Sequence, residues 1–391
     1  MKTKAIIGSS FGDEGKGRMT DVFASKSPGS CIVIRYNGGS QAGHTVVLPC
    51  GKTHIFKHIG SGTFTGAVTY LSEFFILNPM IWQEENKELS GMGVNPMVFV
   101  NRFAPLTTPY DMFINRTVEN FRGKTRHGSC GYGVSETVER LCNSNLHLYF
   151  RDIDTPGFEA KVRRIRDEYT PSRLKALGVT KIPEETKRII RSEELFKYFI
   201  QFSIEMKKRF VVMVDDELNK YDTIIFEGSQ GLGLDEGHPF FPHVSRSKTG
   251  LANISSICHK ASIKEIEAIY VTRIYATRHG AGPFPTENTT LAYADETNIT
   301  NEFQGSLRFG YLDMDLIKEN INRDSVKANG IKVKRSIAVT CLDQVDDMVI
   351  IKYKGKQEEV KTVMLPTMLG KILNCHKIYV SRSMSRKEND E

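Results

Sequence analysis

The sequence predicts an α/β fold, with a large, mostly parallel central sheet, helical excursions and a P-loop-like phosphate loop. Five short apolar runs each end in a polar loop, as buried parallel strands do; they are residues 4–8, 31–36, 223–226, 266–274 and 336–340. A further segment, about 157–220, is rich in Lys, Arg and Glu and carries apolar residues at helical spacing. Because ligands of open α/β sheets bind at the carboxyl ends of the strands, we expect the chemistry in the loops that follow them.

The composition is that of a folded globular protein. A chain of 391 residues with 40% hydrophobic and 25% charged residues excludes disordered, fibrous and disulfide-stapled classes. The net charge of +7 favours anionic ligands without separating nucleic acids from phosphorylated small molecules. The sequence contains no apolar stretch of membrane-spanning length, and its seven scattered cysteines form no C-x-x-C pair. We therefore expect a cytoplasmic protein with reduced thiols, no zinc site and no membrane attachment.

We expect one catalytic domain over residues 1–380, including the helical excursion at about 157–220, and a flexible charged tail at 381–391. The excursion carries an apolar stripe that is typical of a helix face packed on a core: Leu195, Phe199, Phe202, Met206 and Phe210. Its basic clusters lack interleaved aromatic residues, which favours a solvated helix face over specific nucleic-acid binding.

The first predicted strand runs into a glycine-rich loop, Gly8–Gly17, which is followed by a predicted helix over 18–24. Glycines let backbone amides converge on an anion, the helix N-terminus adds a favourable dipole, and Lys16 adds positive charge. The loop is therefore a candidate cradle for the phosphates of a donor nucleotide. Its predicted donor-binding residues are Gly12, Glu14, Gly15, Lys16 and Gly17.

This loop departs from the G-x-x-x-x-G-K-[ST] pattern at two positions. Ser10 replaces the first glycine and Gly17 replaces the hydroxyl residue that would hold magnesium, which disfavours an ordinary P-loop motor or switch. The loop also contains Asp13 and Glu14, which would repel a phosphate. These carboxylates either hold a cation or take a proton beside the phosphates, which we favour, or they cap the following helix.

Four motifs together resemble the adenylosuccinate synthetase family. They are Gly-Asp-Glu-Gly-Lys-Gly at 12–17, Asn-Gly-Gly-Ser-Gln-Ala-Gly-His-Thr at 37–45, Phe-Glu-Gly-Ser-Gln-Gly at 226–231 and Thr-Arg-His-Gly-Ala-Gly-Pro-Phe-Pro-Thr-Glu at 277–287. They follow the family's order and about its spacing over residues 1–345. The resemblance implies a homodimeric ligase that joins L-aspartate to the 6-oxo carbon of a purine 5′-monophosphate through a 6-phosphoryl intermediate, with a nucleoside triphosphate and Mg²⁺.

The resemblance also implies the catalytic and metal-binding residues. Asp13 matches the family's base and magnesium ligand, and the carbonyl of Gly43 matches a second ligand. His44 matches the histidine that contacts the γ-phosphate, and Thr45 beside it belongs to the donor site. Independently of the family, a loop histidine between a glycine and a threonine after a buried strand favours a catalytic role.

For the acceptor nucleotide, the resemblance implies that Gln230 holds the purine base and that Ser129 and Ser245 bind the 5′-phosphate. Arg140 either crosses a dimer interface to that phosphate or forms a surface salt bridge. Arg308 lies where the family binds the carboxylates of L-aspartate, a role suited to a guanidinium. The predicted acceptor-binding residues are Gln41, Ser129, Cys130, Arg140, Gln230 and Ser245.

The sequence departs from the family pattern at substrate-reading positions. The usual T-K-L-D segment is Thr-Cys-Leu-Asp at 340–343, so Asp343 remains for a guanine but the lysine is lost. A G-P-D-R-like segment is replaced around 381–386, which makes ATP a credible donor beside GTP. Residues 304–308 lack the family's adjacent arginines, and Tyr132 stands where an arginine is usual.

The motifs and the departures together leave three functions to weigh. The favoured one converts IMP to adenylosuccinate. The second resembles a phage branch that uses dGMP, with ATP as donor, to make N6-succino-2-amino-2′-deoxyadenylate for 2-aminoadenine DNA; a phage-encoded chain would act in the host cytoplasm. The short chain and the lost guanine contacts favour this branch, whereas Asp13 opposes it, because the branch tends to have a small residue there. A non-ligating nucleotide-binding NTPase is the third and least favoured.

Overall fold

The computed structural model describes residues 1–27, 29–295 and 305–386, and sixteen strands lie in these ranges. These strands are β1 (Lys2–Gly8), β2 (Cys31–Arg35), β3 (His44–Val47), β4 (Thr53–Phe56), β5 (Val68–Leu71), β6 (Val98–Val100), β7 (Val211–Val212), β8 (Thr223–Gly231), β9 (Glu265–Arg273), β10 (Ala276–Arg278), β11 (Arg308–Gly310), β12 (Leu312–Asp313), β13 (Lys332–Thr340), β14 (Met348–Tyr353), β15 (Lys356–Lys361) and β16 (Lys377–Val380). Nine of them form one sheet in the order β16-β13-β9-β1-β8-β2-β5-β6-β7, and every neighbouring pair is parallel.

The five predicted apolar runs correspond to β1, β2, β8, β9 and β13, which lie side by side in the middle of this sheet. In the register, Ala5 of β1 lies opposite Phe226 on one side and Ala268 on the other. The predicted α/β fold with a large parallel sheet is confirmed. The flanking strands β5, β6, β7 and β16 have only two to four residues each, too few to produce a recognisable apolar run.

The described part of the chain contains eleven α-helices. They are α1 (Lys16–Ser25), α2 (Pro79–Gly91), α3 (Pro109–Arg122), α4 (Val134–Asn143), α5 (Phe158–Arg164), α6 (Thr170–Ala176), α7 (Glu184–Ile190), α8 (Glu193–Arg209), α9 (Leu251–Lys260), α10 (Met314–Ser325) and α11 (Leu365–Ile372). Side-chain caps start several of them: Asn78 accepts two amides at the start of α2, and Thr108 and Asp111 form a capping box on α3. Among the described residues, none of these helices is both long and apolar enough to cross a membrane.

The predicted helical excursion contains α5 to α8 and a π-helical turn at Ile165–Tyr169. In α8, Phe199 and Met206 are buried, whereas Leu195 and Phe202 are half-buried. The ring of Phe210, after α8, packs edge-on against Trp82 of α2 with centroids 5.3 Å apart. The apolar stripe is therefore a packing face that joins α8 to α2.

Several basic residues of the excursion are paired with acids on its own surface. Arg163 and Arg166 both contact Glu193, and Arg164, the last residue of α5, contacts Glu168 in the π-helical turn. Their charges are balanced locally, as expected for a solvated helix face.

The tail predicted to be flexible is partly docked. Ser385 pairs with Val47 of β3 as an isolated parallel bridge, and its carbonyl accepts a hydrogen bond from Arg18 at 3.1 Å. Arg386 forms a 2.7 Å ion pair with Asp21 of α1. Burial raises the pKa of Asp21 to about 6, and Arg386 and Arg18 oppose that rise, so the docked arginine stabilises a buried carboxylate. Residues 385 and 386 thus contact β3 and α1, the flexible tail stays a prediction, and 387–391 lie outside the described residues.

The carboxyl ends of the five central strands meet at one edge of the sheet. The glycine-rich loop follows β1, residues 36–45 follow β2, and residues 341–344 follow β13. The ladder between β1 and β8 becomes irregular between Ile6 and Gly8, where the chain leaves the sheet for the loop. Motifs far apart in the sequence therefore share one edge.

Candidate active site

The glycine-rich loop between β1 and α1 is built from left-handed residues. Gly12, Asp13 and Gly15 have φ of 97°, 59° and 91°. No side chain caps the N-terminus of α1, which begins at Lys16, so its first amides remain available to a ligand. Gly17 is required for space, because a Cβ there would lie 2.8 Å from the Cβ of His44. The loop thus presents backbone donors and a helix N-terminus, as a phosphate cradle does.

Glu14 and Lys16 are directed into the loop itself. Glu14 Oε1 accepts the amides of Ser10 and Gly12, both at 3.0 Å, and its Oε2 lies 2.7 Å from Lys16 Nζ. Both charged side chains are buried. Glu14 therefore maintains the loop's shape rather than capping α1, and Lys16 is held by a carboxylate at the base of the cradle.

Asp13, by contrast, keeps an accessible carboxylate. Its side chain is 28% exposed, and Oδ2 lies 3.8 Å from Nε2 of His279, which belongs to the 277–287 motif. Its backbone carbonyl accepts a 2.5 Å hydrogen bond from Nε of Arg273 at the end of β9. The backbone of Asp13 is therefore fixed while its carboxylate remains open to a ligand.

His44, at the start of β3, is oriented by a buried carboxylate. Its Nδ1 lies 2.7 Å from Glu227 Oε1 of β8, and its buried Nε2 has no hydrogen-bond partner among the described residues. Burial lowers the pKa of His44, and Glu227 opposes that effect. Burial by itself would raise the pKa of Glu227, but His44, Arg35 and Ser61 outweigh it and lower that pKa. A Glu227 carboxylate thus holds one ring nitrogen and leaves the other free for a ligand.

Two predicted amide side chains lie beside the glycines of the 37–45 motif. Added Cβ atoms on Gly38 and Gly39 would lie 3.2 Å from Oε1 of Gln230 and of Gln41, respectively. Both amide oxygens are buried and have no hydrogen-bond partner among the described residues. Asn37 holds this segment to β8 by accepting the amide of Ser229 at 2.8 Å. Unsatisfied buried acceptors of this kind need a donor, which a bound ligand can supply.

The predicted phosphate-binding serines lie in two separate loops. Ser129 donates its hydroxyl to Asn115 at 2.9 Å and its amide to Glu119 at 3.3 Å. Burial raises the pKa of the neighbouring Cys130 thiol to about 11, so the thiol remains protonated at neutral pH. Ser245 donates its backbone amide to the carbonyl of Leu234 at 2.9 Å.

Arg140 is not at the surface. Its side chain is fully buried, and it donates from Nε and Nη2 to the two carboxylate oxygens of Asp111, each at 2.9 Å. It also donates to the carbonyls of Leu146 and Leu106 at 2.7 and 2.8 Å. The guanidinium thus ties α4 to the start of α3 inside the protein, which rules out a surface salt bridge for Arg140; its contact with a phosphate across a dimer interface stays a prediction.

Arg308 and Arg278 face each other across the β10–β11 pair. Arg308 contacts Glu287 at 2.7 Å and donates to the carbonyls of Gly280 and Gly282. Burial, together with the like charge of Arg308, lowers the pKa of Arg278 to about 10. The Nε atoms of both arginines are buried without a hydrogen-bond partner among the described residues. Two adjacent cations with spare donors favour an anionic ligand.

The segment after β13 adjoins the phosphate loop. Thr340 donates its hydroxyl to the carbonyl of Glu14 at 2.8 Å. Cys341 follows in a left-handed conformation, φ 62°, and Asp343 is exposed. Residue 304, within the segment predicted to lack arginines, lies outside the described residues.

Three residues of this edge were not identified from the sequence: Glu227, Arg273 and Arg278. Glu227 and Arg278 lie inside quoted motifs, so the motifs were recognised without the roles of these members. Arg273 lies at the end of a predicted strand, where polar residues are a signal of ligand or loop contacts.

A profile of the adenylosuccinate synthetase family matches residues 5–384. The chain belongs to the adenylosuccinate synthetase family. The adenylosuccinate synthetase of Lactobacillus acidophilus is 33% identical over 294 residues, which cover 73% of this chain and 65% of that protein. The adenylosuccinate synthetase of Clostridium beijerinckii is 28% identical over 402 residues, covering 97% of this chain and 87% of its own length. As a member of this family, the chain is a ligase of purine biosynthesis that forms a carbon–nitrogen bond.

Two solved structures share its fold. A fully ligated adenylosuccinate synthetase from Plasmodium falciparum superposes with a TM-score of 0.75 at 16% identity, covering 99% of this chain and 98% of the other. The succinoaminodeoxyadenylate synthetase of cyanophage S-2L, solved with dGMP and with dATP as energy donor, superposes with a TM-score of 0.60 at 14% identity, covering 98% and 93%. The fold of adenylosuccinate synthetases therefore extends over nearly the whole chain.

Proposed function

We propose that this ligase joins L-aspartate to the 6-oxo carbon of IMP and forms adenylosuccinate, with GTP or ATP as phosphoryl donor. The observation that carries the proposal is the position of Asp13. Its carboxylate is accessible at the phosphate cradle while its backbone is held in a left-handed conformation. A donor γ-phosphate in the cradle would lie near a group that can take a proton from the acceptor.

The chemistry assigns a role to this carboxylate. The 6-oxo group of a purine is a poor leaving group, so its oxygen first attacks the donor γ-phosphorus while the proton on N1 passes to Asp13. The nucleoside diphosphate departs, and the purine now carries a 6-phosphoryl group. The amine of L-aspartate then attacks C6, loses a proton, and expels inorganic phosphate. The transferred atoms balance without any further reactant.

His44 is proposed to stabilise the transferred phosphoryl group. Glu227 accepts a hydrogen bond from Nδ1 and opposes the burial that lowers the pKa of His44, and the negative charge of bound phosphates would also favour the imidazolium, whose Nε2 can donate to a phosphoryl oxygen. The free, buried Nε2 supports this role, because a donor held in place needs no rearrangement when charge develops.

Mg²⁺ is the proposed cofactor, with Asp13 and the carbonyl of Gly43 as its protein ligands. Both offer oxygen, and Mg²⁺ is commonly held by one or two protein oxygens together with substrate phosphates. Within the described ranges, no cluster of three or more His, Cys, Asp or Glu side chains forms a cage of its own, so phosphates would have to complete the shell. A bound Mg²⁺ would neutralise charge on the transferred phosphoryl group.

The remaining substrate contacts are proposed from the positions of the residues in the motifs and from buried polar atoms that have no hydrogen-bond partner among the described residues. Gln230 and Gln41, with buried amide oxygens beside Gly38 and Gly39, would bind the acceptor nucleotide. Ser129, Cys130 and Ser245 would surround its 5′-phosphate. The spare Nε of Arg308 would bind a carboxylate of L-aspartate.

A second candidate is the conversion of dGMP with ATP as donor. The lysine expected to read a guanine is replaced by Cys341, whose pKa is raised by burial, so the thiol supplies no charge to a donor base. The cyanophage enzyme bound to dGMP and dATP has the same fold. Asp13 separates the two candidates, because the resemblance implies a small residue at this position in the dGMP-using branch, which would leave room for a purine 2-amino group.

The chain is further proposed to act as a homodimer. Light scattering of the purified protein would give about twice the 44.1 kDa chain mass for a dimer. A value equal to one chain would refute this part of the proposal.

The deciding experiment measures phosphate release with Mg²⁺ and L-aspartate in four mixtures, crossing ATP or GTP with IMP or dGMP. Aspartate-dependent release with IMP supports the first candidate, and release with dGMP alone supports the second. Parallel reactions with EDTA, and with the Asp13→Asn variant, define the background. If no mixture gives aspartate-dependent release, the proposal is wrong.

A further inference from the structure

Arg273, at the carboxyl end of β9, connects two parts of the site. Its Nε donates to the carbonyl of Asp13 at 2.5 Å, and its Nη2 lies 2.8 Å from Oδ2 of Asp295. Its Nη1 donates to the hydroxyl of Tyr275 at 2.9 Å, and the residue is buried. One guanidinium thus joins the phosphate loop to residues 288–295, and the backbone amide of Asn288 donates to the carbonyl of Phe309, next to Arg308, at 3.0 Å.

A second set of hydrogen bonds also connects Arg273 to residues 288–295. The hydroxyl of Tyr275 donates to Gln344 Oε1 at 2.5 Å, and Gln344 Nε2 donates to the carbonyl of Ala294 at 2.9 Å. The ring of Tyr275 stacks on that of Tyr293, with centroids 3.8 Å apart and planes inclined by 11°. Residues 288–295 are therefore held by the segment after β13 as well as by Arg273.

The contact on the Asp13 carbonyl has a mechanical consequence. A non-glycine residue at φ 59° is uncommon, and although Asp tolerates this conformation better than most residues, surrounding contacts help to hold it. Arg273 holds the carbonyl of Asp13, and Thr340 holds that of Glu14. Two consecutive peptide groups are fixed from neighbouring strands, so the direction of the Asp13 carboxylate depends on Arg273.

We propose that Arg273 is a positioning residue that couples the donor site to the L-aspartate site. Its planar guanidinium donates to the phosphate loop and to Asp295 at the same time. A movement of the loop on donor binding would therefore change the contact that holds residues 288–295. By reciprocity, ordering of that segment around L-aspartate would tighten donor binding by the same factor. This inference rests on the proposed function for the identity of the two ligands.

Steady-state kinetics of two single variants separate the two arms of the guanidinium, which are its proximal contact with the carbonyl of Asp13 and its distal contact with Asp295. Asp295→Asn cuts only the distal arm, and we expect KM for L-aspartate to rise about tenfold with kcat changed less than threefold. Arg273→Gln cuts both arms, and we expect a similar rise in KM with a fall in kcat of about tenfold or more. Adding Asp295→Asn to Arg273→Gln should change KM by less than twofold, because the shared contact is already lost.

Arg335→Gln is the matched control. Arg335 belongs to β13 and also donates to a carbonyl, that of Leu373, and to a side-chain oxygen, that of Ser325. These contacts lie away from the carboxyl ends of the strands. A purely structural role for Arg273 predicts that both arginine variants lower the melting temperature with all kinetic constants within threefold, and that result would overturn the proposal.

Hydrogen exchange tests the coupling without turnover. In the wild type, the Mg²⁺ complex of GTP or of ATP should slow amide exchange in residues 288–295; Arg273→Gln should lose this protection and Arg335→Gln should keep it. Equal protection in Arg273→Gln would contradict the coupling. If Arg273→Gln fails to fold, Asp295→Asn and Gln344→Ala carry the same test. If the wild type shows no aspartate-dependent phosphate release, the proposed function fails while the exchange result still decides the coupling.

Discussion

The phosphate loop, Gly8–Gly17, and the segment of residues 126–140 both contain predicted nucleotide contacts, but the structure supports them to different degrees. In the loop, the backbone has the left-handed residues and the open helix N-terminus that a phosphate cradle needs. In the second segment, Arg140 is buried in an ion pair with Asp111, and Ser129 is engaged with Asn115 and Glu119.

The two segments differ in the way each would bind a phosphate. Phosphate binding through backbone amides depends on local conformation, which glycines and a following helix specify within a few residues. Phosphate binding through a side chain depends on what that side chain packs against. The sequence around Arg140 resembles a binding segment, yet Asp111, 29 residues away, determines where the guanidinium lies.

The largest expected effect comes from Asp13→Asn, which preserves the shape and left-handed tendency of Asp13 and removes its basicity. We expect kcat for phosphate release to fall roughly a hundredfold to ten-thousandfold, as for loss of a general base. Asp315→Asn, in which the carboxylate serves only loop amides at Lys354 and Gly355, is the control and should retain activity. If the activity of Asp13→Asn stays within threefold of that of the wild type, Asp13 is not the general base. The phosphate loop would then be no better supported as a site than residues 126–140.

The next largest effect should be on stability, from Arg140→Met. Removing one partner of a buried pair leaves Asp111 uncompensated, and the free energy of unfolding should fall by about 3–5 kcal/mol. Arg246→Met breaks the more exposed pair with Glu139 and should cost less than about 1 kcal/mol. Urea denaturation measures both. A stable Arg140→Met protein with a raised KM for the acceptor nucleotide would show that this segment resembles the phosphate loop after all.

Glu227→Gln tests the support of His44 with a smaller expected effect. Loss of the carboxylate that orients the imidazole should lower kcat about tenfold to hundredfold, with little change in KM, by analogy with outer-shell partners of active histidines. Ser61→Ala removes a neighbouring hydrogen bond to Glu227 but keeps the carboxylate, and its kcat should remain within threefold. Equal losses in both variants would indicate a packing defect.

The smallest effect is expected from Ser129→Ala. A single neutral hydrogen bond contributes about 0.5–1.5 kcal/mol, so KM for the acceptor nucleotide should rise about twofold to tenfold. Ser144→Ala, which removes a hydroxyl that donates to the carbonyl of Arg140, is the control and should leave KM unchanged. An unchanged KM in Ser129→Ala would confine the predicted phosphate contacts of this segment to its backbone.

Much of the fold could be predicted from the sequence because the central strands are long and buried on both faces, so each is a continuous apolar run. The edge strands are short and the docking of 381–386 rests on single contacts such as Arg386 with Asp21, so neither leaves a periodic signal. The phosphate loop was predictable for a related reason: its glycines and its following helix are adjacent in the chain.

By itself, the sequence determined the run of central strands, the phosphate cradle and the motifs that lie at one edge of the sheet. Only the tertiary structure decided the partners of the reactive groups: Glu227 for His44, 183 residues apart, and Arg273 for the backbone of Asp13, 260 residues apart. Parallel strands bring such distant residues to the same edge, and the specific contacts between them depend on strand order and register. Those are properties of the assembled sheet, which local sequence patterns do not encode.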